Sequence, residues 1–255
     1  MPKPSFALPL ALAAVAISTA PAFAQSANPD PYEGFNRGSF AFTEAADKAI
    51  IGPVARTYLK APKPARDGVH NVLENLNEPL NVLNQLLQLR VGRAVHDTGR
   101  FAINTTVGIG GLFDNAKRMG LEPKPTDFGV TFARYGVGTG GYFYVPLYGP
   151  STVRDSVGLV ASIVLDPLNI PRYHGKTELG WGRILMIGLD TRARFDGELT
   201  ELRRSATDPY VSLRSLYLQN RAAQISGGKL DVEALPSFDA DPPAPAPAPP
   251  AGPAT

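Results

Sequence analysis

The chain has 255 residues, 44% of them hydrophobic and 19% charged, with a formal net charge of +2 and no cysteine. One domain of that length can bury a substantial core, while so small a charge with no basic run gives nucleic acid no electrostatic footing. Without cysteine there is no disulfide framework, so an exported chain of this kind is held by packing, by binding or by its surroundings.

Lys3 precedes the apolar run Phe6 to Ile17, and Ala22-Phe23-Ala24 places small residues where a signal peptidase requires them. Residues 1–24 therefore read as a cleavable secretory signal, with Gln25 the first mature residue. That run is shorter than the roughly 20 residues a membrane span needs, and so is the longest later one, Val157 to Leu165. With no thiol to carry a diacylglycerol, the chain is expected not to be a lipoprotein. Residues 25–29 form a short linker, and a single helical domain is expected over 30–228.

That domain opens at Asp30-Pro31-Tyr32-Glu33-Gly34-Phe35-Asn36-Arg37. A helical pattern runs from Phe42 through Ala46 and Ile50, and the prolines at 53, 62 and 64 are expected to break it into short pieces. Val69 to Leu89 has the clearest periodicity, with Val69, Val72, Leu73, Leu76, Leu80, Leu83 and Leu87 on one helical face. Pattern alone favours that face packed on a core, with Pro79 kinking or splitting the helix. The opposite face is unusual for one turned to water, because amides dominate it: Asn71, Asn75, Asn81, Asn84, Gln85 and Gln88, with Glu74. The sharper reading is a helix lying in a lipid interface or lining a wet cavity.

A second helix spans His96 to Val107 and ends at the glycines 108, 110 and 111. From Asn104 to Asp155 glycines and aromatics crowd together, punctuated by Pro123, Pro125, Pro146 and Pro150, so no single regular element runs through. Phe128, Val130, Phe132 and Tyr135, then Tyr142 to Tyr148, suggest short strands around the glycine run 136–141. Ser151 or Thr152 caps the next helix, which beyond Gly158 is apolar nearly all round and so is expected to be buried in protein or lipid. Trp181 to Leu202 reads as one long amphipathic helix with Arg192 inside its apolar stripe, paired locally with Asp196. Asp208-Pro209 starts a last helix that Gly227 and Gly228 end. Residues 229–255 are a Pro/Ala-rich tail, disordered and semi-rigid, suited to reach or spacing.

Catalytic signatures do not come together. Gly136-Val137-Gly138-Thr139-Gly140-Gly141 fits the dinucleotide pattern literally, but Tyr142-Phe143-Tyr144-Val145-Pro146 follows where the phosphate-binding helix should begin. The histidines at 70, 96 and 174 lack metal-ligand spacing, and no Gly-x-Ser-x-Gly elbow exists. Carboxylates such as Asp114 and Asp127 are too far apart for spacing to pair them. The chain is expected to be no enzyme and to need no cofactor or metal.

Five segments are nevertheless distinctive: Asp30 to Arg37, Asn104 to Asp114, Tyr135 to Gly138, Pro146 to Pro150 and Ser151 to Asp155, with the later Asp208-Pro209-Tyr210. Together they resemble the VacJ/MlaA family over roughly Asp30 to Ala222, in that family's order. The resemblance implies a mainly α fold: a ring of amphipathic helices in the membrane interface with a glycine- and aromatic-rich hairpin-like insert. It implies phospholipid transport at the periplasmic side of the outer membrane, through an amphipathic channel. Phospholipids misplaced in the outer leaflet would be removed beside a porin trimer and passed to a soluble periplasmic carrier, maintaining lipid asymmetry. The family is typically lipidated on a cysteine at the mature N-terminus, which this sequence lacks. The rival readings are a soluble periplasmic lipid-binding or scaffold protein on the same fold and, with least support, a lipid hydrolase.

The residues expected to line or gate the channel centre on the glycine loop. Gly136, Gly138, Gly140 and Gly141 supply hinge freedom, and Tyr135 a body that packs in a lipid interface. Arg134 and Arg154 are the expected phosphate contacts, since a guanidinium matches phosphate oxygens bidentately. Asp155 and Arg192 complete the set.

Overall fold

The computed structural model describes residues 30–169 and 174–227. The expected signal peptide, linker and tail lie outside the described residues, as does Gly228.

Helix α1 (Glu33–Ala46) passes through one π-helical turn, Asp47–Ile51, directly into α2 (Gly52–Tyr58). The expected break at Pro53 is absent, because the proline sits in the first turn of α2, where the missing N–H costs little. Pro62 and Pro64 do mark a boundary, at the start of α3 (Lys63–Leu87). Pro79 lies inside α3 without splitting it, so the expected split is replaced by one 25-residue helix. A turn leads into α4 (Val91–Thr106), antiparallel to and packed along α3.

The stretch that looked like a strand at Phe128, Val130 and Phe132 is a helix, α6 (Phe128–Arg134), which follows the single turn α5 (Asn115–Arg118). Local chemistry decides it: the Asp127 carboxylate accepts the Val130 N–H at 2.9 Å and caps the first turn, and Phe128 meets Phe132 four residues on. Strands do form beyond the glycine run, as the hairpin of β1 (Tyr142–Val145) and β2 (Gly149–Thr152), with Tyr142 opposite Thr152 and Val145 opposite Gly149. Leu147 and Gly149, at φ +64° and +114°, turn the chain between them.

Thr152, not Ser151, caps α7 (Val153–Val164), its hydroxyl accepting the Asp155 N–H at 3.2 Å. The expected long helix from Trp181 to Leu202 is two, α8 (Lys176–Arg194) and α9 (Asp196–Ser205), which meet at Phe195. Asp208 caps α10 (Pro209–Ser226), and Gly227 closes it with φ +74°.

The apolar core is small and aromatic. Tyr142, Tyr144 and Tyr210 are buried against Phe40, with ring centroids 5.6–6.0 Å apart and edge-on geometry. Asn36 from α1, wholly buried, acts as a neighbouring strand to β1: it donates to the Tyr142 carbonyl at 3.0 Å and accepts the Tyr144 N–H at 2.8 Å. Its amide also donates to Asp30 at 2.8 Å, Tyr210 O–H donates to the same carboxylate, and Arg37 pairs with Asp208 at 2.8 Å. The Asp30–Arg37 and Asp208–Tyr210 segments thus close on one another across the hairpin.

Candidate functional site

Around that core the usual distribution is reversed. In α3 the amide face points inward: Asn75, Glu78, Asn81, Asn84, Gln85 and the adjoining Gln88 are all buried. Of the stripe expected to pack on a core, only Leu73 and Leu80 are buried, and Leu87 is exposed. In α4 the inward residues are Ala94, Asp97, Arg100 and Asn104 at spacings of three and four, while Val91 and Val95 face out. Beyond Gly158, where α7 was expected to be buried, Val160, Ile163 and Val164 are exposed.

The inward polar groups satisfy one another. Arg100 Nε donates to Glu78 at 2.8 Å, with both side chains 3% exposed, and Arg100 also reaches the Leu121 carbonyl. Burial pushes the Glu78 carboxyl up against the opposing hydrogen bonds from Arg100 and Asn81. Asn104 and Arg100 both reach Asp114. Gln88 donates to Thr126 and Thr131, whose hydroxyl donates to Asn84 at 2.7 Å. This lattice ties α3, α4 and α6 together through side-chain hydrogen bonds where an ordinary domain would use leucines.

A second polar knot lies where α6, α7 and α10 meet. Arg221 donates to both oxygens of Asp155 at 3.0 Å, to both oxygens of Asp127 at 2.7 Å and to Gln224 at 2.9 Å. Tyr217 O–H donates to Asp155 at 2.8 Å, and Arg154 Nε to Asp155 at 3.0 Å. Close approach of backbone makes the knot possible. A Cβ on Gly129 would lie 2.3 Å from Arg221 Nη2 and from Asp155 Oδ1, and one on Gly158 would lie 2.6 Å from Gly129 N. Asp127, Asp155, Tyr217 and Arg221 line a cavity of about 270 Å³. Arg154 lines a neighbouring cavity of about 390 Å³, with Gly136, Gly138 and Thr139.

Of the residues expected from sequence, Gly136, Gly138, Arg154 and Asp155 are therefore brought together. Gly140 sits against Val153, and Gly141 against Pro31 and Tyr32. The loop is tied to α7 by Val153 N–H to the Gly141 carbonyl and Arg154 N–H to the Thr139 carbonyl. Tyr135 is exposed, its hydroxyl donating to the Leu87 carbonyl. Arg134 is exposed at the end of α6. Arg192 belongs to a different knot: it pairs with Asp196 as expected, at 2.7 Å, and with Asp47 of the π turn at 2.6 Å, where Arg203 also binds. Sequence reasoning passed over Arg221, Tyr217 and Arg100, and left Asp127 and Asp114 without partners. A readable signal for one existed, since Arg214 and Arg221 stand two turns apart in α10 and both are buried. Among the described residues no group of three or more histidines or carboxylates is placed to hold a metal ion.

A family model described as MlaA lipoprotein matches residues 28–224. The chain belongs to the MlaA family. The intermembrane phospholipid transport system lipoprotein MlaA of Escherichia coli (strain K12) is 36% identical over 231 residues, covering 85% of this chain and 86% of that one. The like-named protein of Haemophilus influenzae is 31% identical over 216 residues, covering 81% and 84%. A solved structure reported as "Structural basis for maintenance of bacterial outer membrane lipid asymmetry" superposes with a TM-score of 0.67 at 33% identity, over 78% of this chain and all of the solved one.

Membership in the MlaA family corrects one expectation. The chain was expected to stand apart from the lipoproteins because it carries no thiol, but the matching family model and the named curated relatives are all described as lipoproteins. A cysteine count of zero is a local chemical fact and does not override similarity over four-fifths of the chain.

Proposed function

We propose that this chain carries phospholipid at the outer membrane, removing molecules misplaced in the outer leaflet and so maintaining lipid asymmetry. The observation that carries the reading is the reversed burial: buried amides, guanidiniums and carboxylates inside, exposed Val95, Val160, Val164, Trp181 and Leu185 outside. A polar interior suits a charged headgroup, and an apolar exterior suits acyl chains around the protein. The MlaA relatives, named as parts of an intermembrane phospholipid transport system, support it further. Among the described residues no helix is long and apolar enough to cross a membrane, so helices lying in the interface are the form such contact takes.

The finer parts of the reading are a porin trimer beside which the chain works and a soluble periplasmic carrier that receives the lipid. No bond is made or broken, and the chain acts without catalysis. The glycine loop is the gate, with Gly136 and Gly140 at φ +81° and +68° giving it hinge conformations. Arg154 is a better phosphate contact than Arg134 because it is buried at a cavity wall. One domain spans the described residues, preceded by a cleaved signal. A soluble scaffold would have no use for so much exposed apolar surface.

The test is removal of the gene followed by complementation. Cells without the protein should accumulate phospholipid in the outer leaflet, measured by its accessibility to an added phospholipase, and should recover with the wild-type chain. Outer-leaflet phospholipid that does not change on removal refutes the transport reading. Release of labelled fatty acid by the purified chain would instead point to a hydrolase.

A further inference from the structure

The arginines of the polar knot can be sorted by counting their N–H groups. A guanidinium has five donors, and Arg221 uses all of them, on Asp127, Asp155 and Gln224. It has nothing left for a ligand. Arg154 differs, although its side chain is only 4% exposed. Its Nε donates to Asp155 Oδ1 at 3.0 Å, its Nη1 reaches Thr139 Oγ1 only at 3.4 Å, and its Nη2 has no partner. The Nη1 contact is beyond the usual hydrogen-bond range. Buried polar groups are normally satisfied, so a buried guanidinium with one donor idle and another poorly used is held ready for an acceptor.

The surroundings indicate which acceptor. Arg154 and Thr139 share the 390 Å³ cavity with the apolar side chains of Ala133, Val137, Ala222 and Ile225. Asp127, Asp155, Arg154 and Arg221 carry two negative and two positive charges, which cancel. A neutral cluster exerts no long-range pull on a free polyanion, whereas at short range it offers a forked donor among apolar walls. That combination fits a phosphodiester attached to glycerol and acyl chains better than it fits inorganic phosphate.

We propose that Arg154 is the phosphodiester site of this protein and that Thr139 is its latch, an inference that rests on the lipid-transport reading above. In the present structure Thr139 occupies the guanidinium with its hydroxyl and, through its carbonyl, receives the Arg154 N–H at 3.2 Å. A phosphodiester oxygen takes the idle Nη2 and displaces the Thr139 hydroxyl from Nη1. Headgroup binding and release of the 136–141 segment from α7 are then one event. The Asp155 bond to Nε is untouched throughout, so the buried charge never loses its counter-ion.

The full chain in mild detergent, titrated with dihexanoyl phosphatidylglycerol and separately with inorganic phosphate, tests this by equilibrium dialysis. Wild type should bind the short-chain lipid and show no saturable uptake of millimolar phosphate. Thr139→Val, which keeps size and backbone bonds but removes the competing hydroxyl, should bind lipid several-fold tighter. Arg154→Lys, which keeps the charge beside Asp155 but loses the fork, should bind at least tenfold weaker with an unchanged melting temperature. Should the lysine variant fail to fold, Thr139→Val alone decides. Lipid binding indifferent to both substitutions overturns the latch and leaves lipid transport standing. Equal saturation by inorganic phosphate overturns the lipid as ligand, and no lipid binding by wild type overturns this inference and the reading beneath it together.

Discussion

Burial alone would raise the Asp155 carboxyl, yet hydrogen bonds from Arg221 and Arg154 hold it at about 2. A depressed value in the folded state means stability that is fully present above the ordinary value of 3.8 and lost as pH falls through about 2. At roughly 1.4 kcal/mol per unit, that window is worth about 2 kcal/mol. Asp155→Asn should lower stability by about 3–5 kcal/mol at neutral pH, because it leaves Arg154 and Arg221 under-compensated in a buried place. The variant should also lose the acid-dependent step between pH 4 and pH 2, followed by denaturant titration at each pH. An unaltered acid limb in the variant would place the sensitive carboxylate elsewhere. Arg154 and Asp155 were legible in sequence as neighbours of the glycine loop. Their partner was not, because Arg221 follows Asp155 by 66 residues and no spacing rule reaches that far.

The elements show what local pattern can and cannot carry. Caps at Asp127, Thr152 and Asp208 each took the N–H groups that their residue types are built to take. Alternation misled at Phe128, Val130 and Phe132, since three apolar residues at period two also fit one short helix once Asp127 has capped it. Glycines separate by environment more sharply than by sequence. Gly158 meets the Gly129 backbone, which cannot step aside, so Gly158→Ala should overpack the α6–α7 crossing by about 1–3 kcal/mol. For a chain of this size that is a melting-temperature fall of several degrees, on the order of 2–4 °C per kcal/mol. Gly136 has open space around it but φ +81°, so Gly136→Ala should cost only about 1–2 kcal/mol of conformational strain. If the loop gates lipid, the second variant should alter outer-membrane permeability at near-native abundance, while the first should act through abundance. Permeability that tracks abundance equally in both would make the loop a static connector.

At the scale of the whole molecule, reversed burial sets the expected response to substitution. The amide face of α3 was visible in the sequence as an oddity, but periodicity reports only that a helix has two faces, not which one meets the interior. Pairing with α4 decides it, through Glu78 with Arg100 and Asn75 with Thr105. Asn84→Leu would be benign in an ordinary core. Here it should cost about 1–3 kcal/mol, because the Thr131 hydroxyl loses its acceptor in a buried site. The exterior should behave oppositely. Val164 and Leu185 are 68% and 69% exposed, and exposed positions in water usually tolerate exchange within about 0.5 kcal/mol. In lipid a lysine costs up to roughly 2.5–3.5 kcal/mol at depth, less near the headgroups where it can snorkel. Val164→Lys combined with Leu185→Lys should therefore leave helical content and melting temperature in detergent unchanged, while partition into phospholipid vesicles falls at least tenfold, measured by flotation. Because the two residues lie on α7 and α8, a loss from either single variant would show that both helices touch the bilayer. Vesicle binding unaffected by the pair would mean that these faces meet protein or water, and the outward apolar surface would then be a docking face for a partner chain.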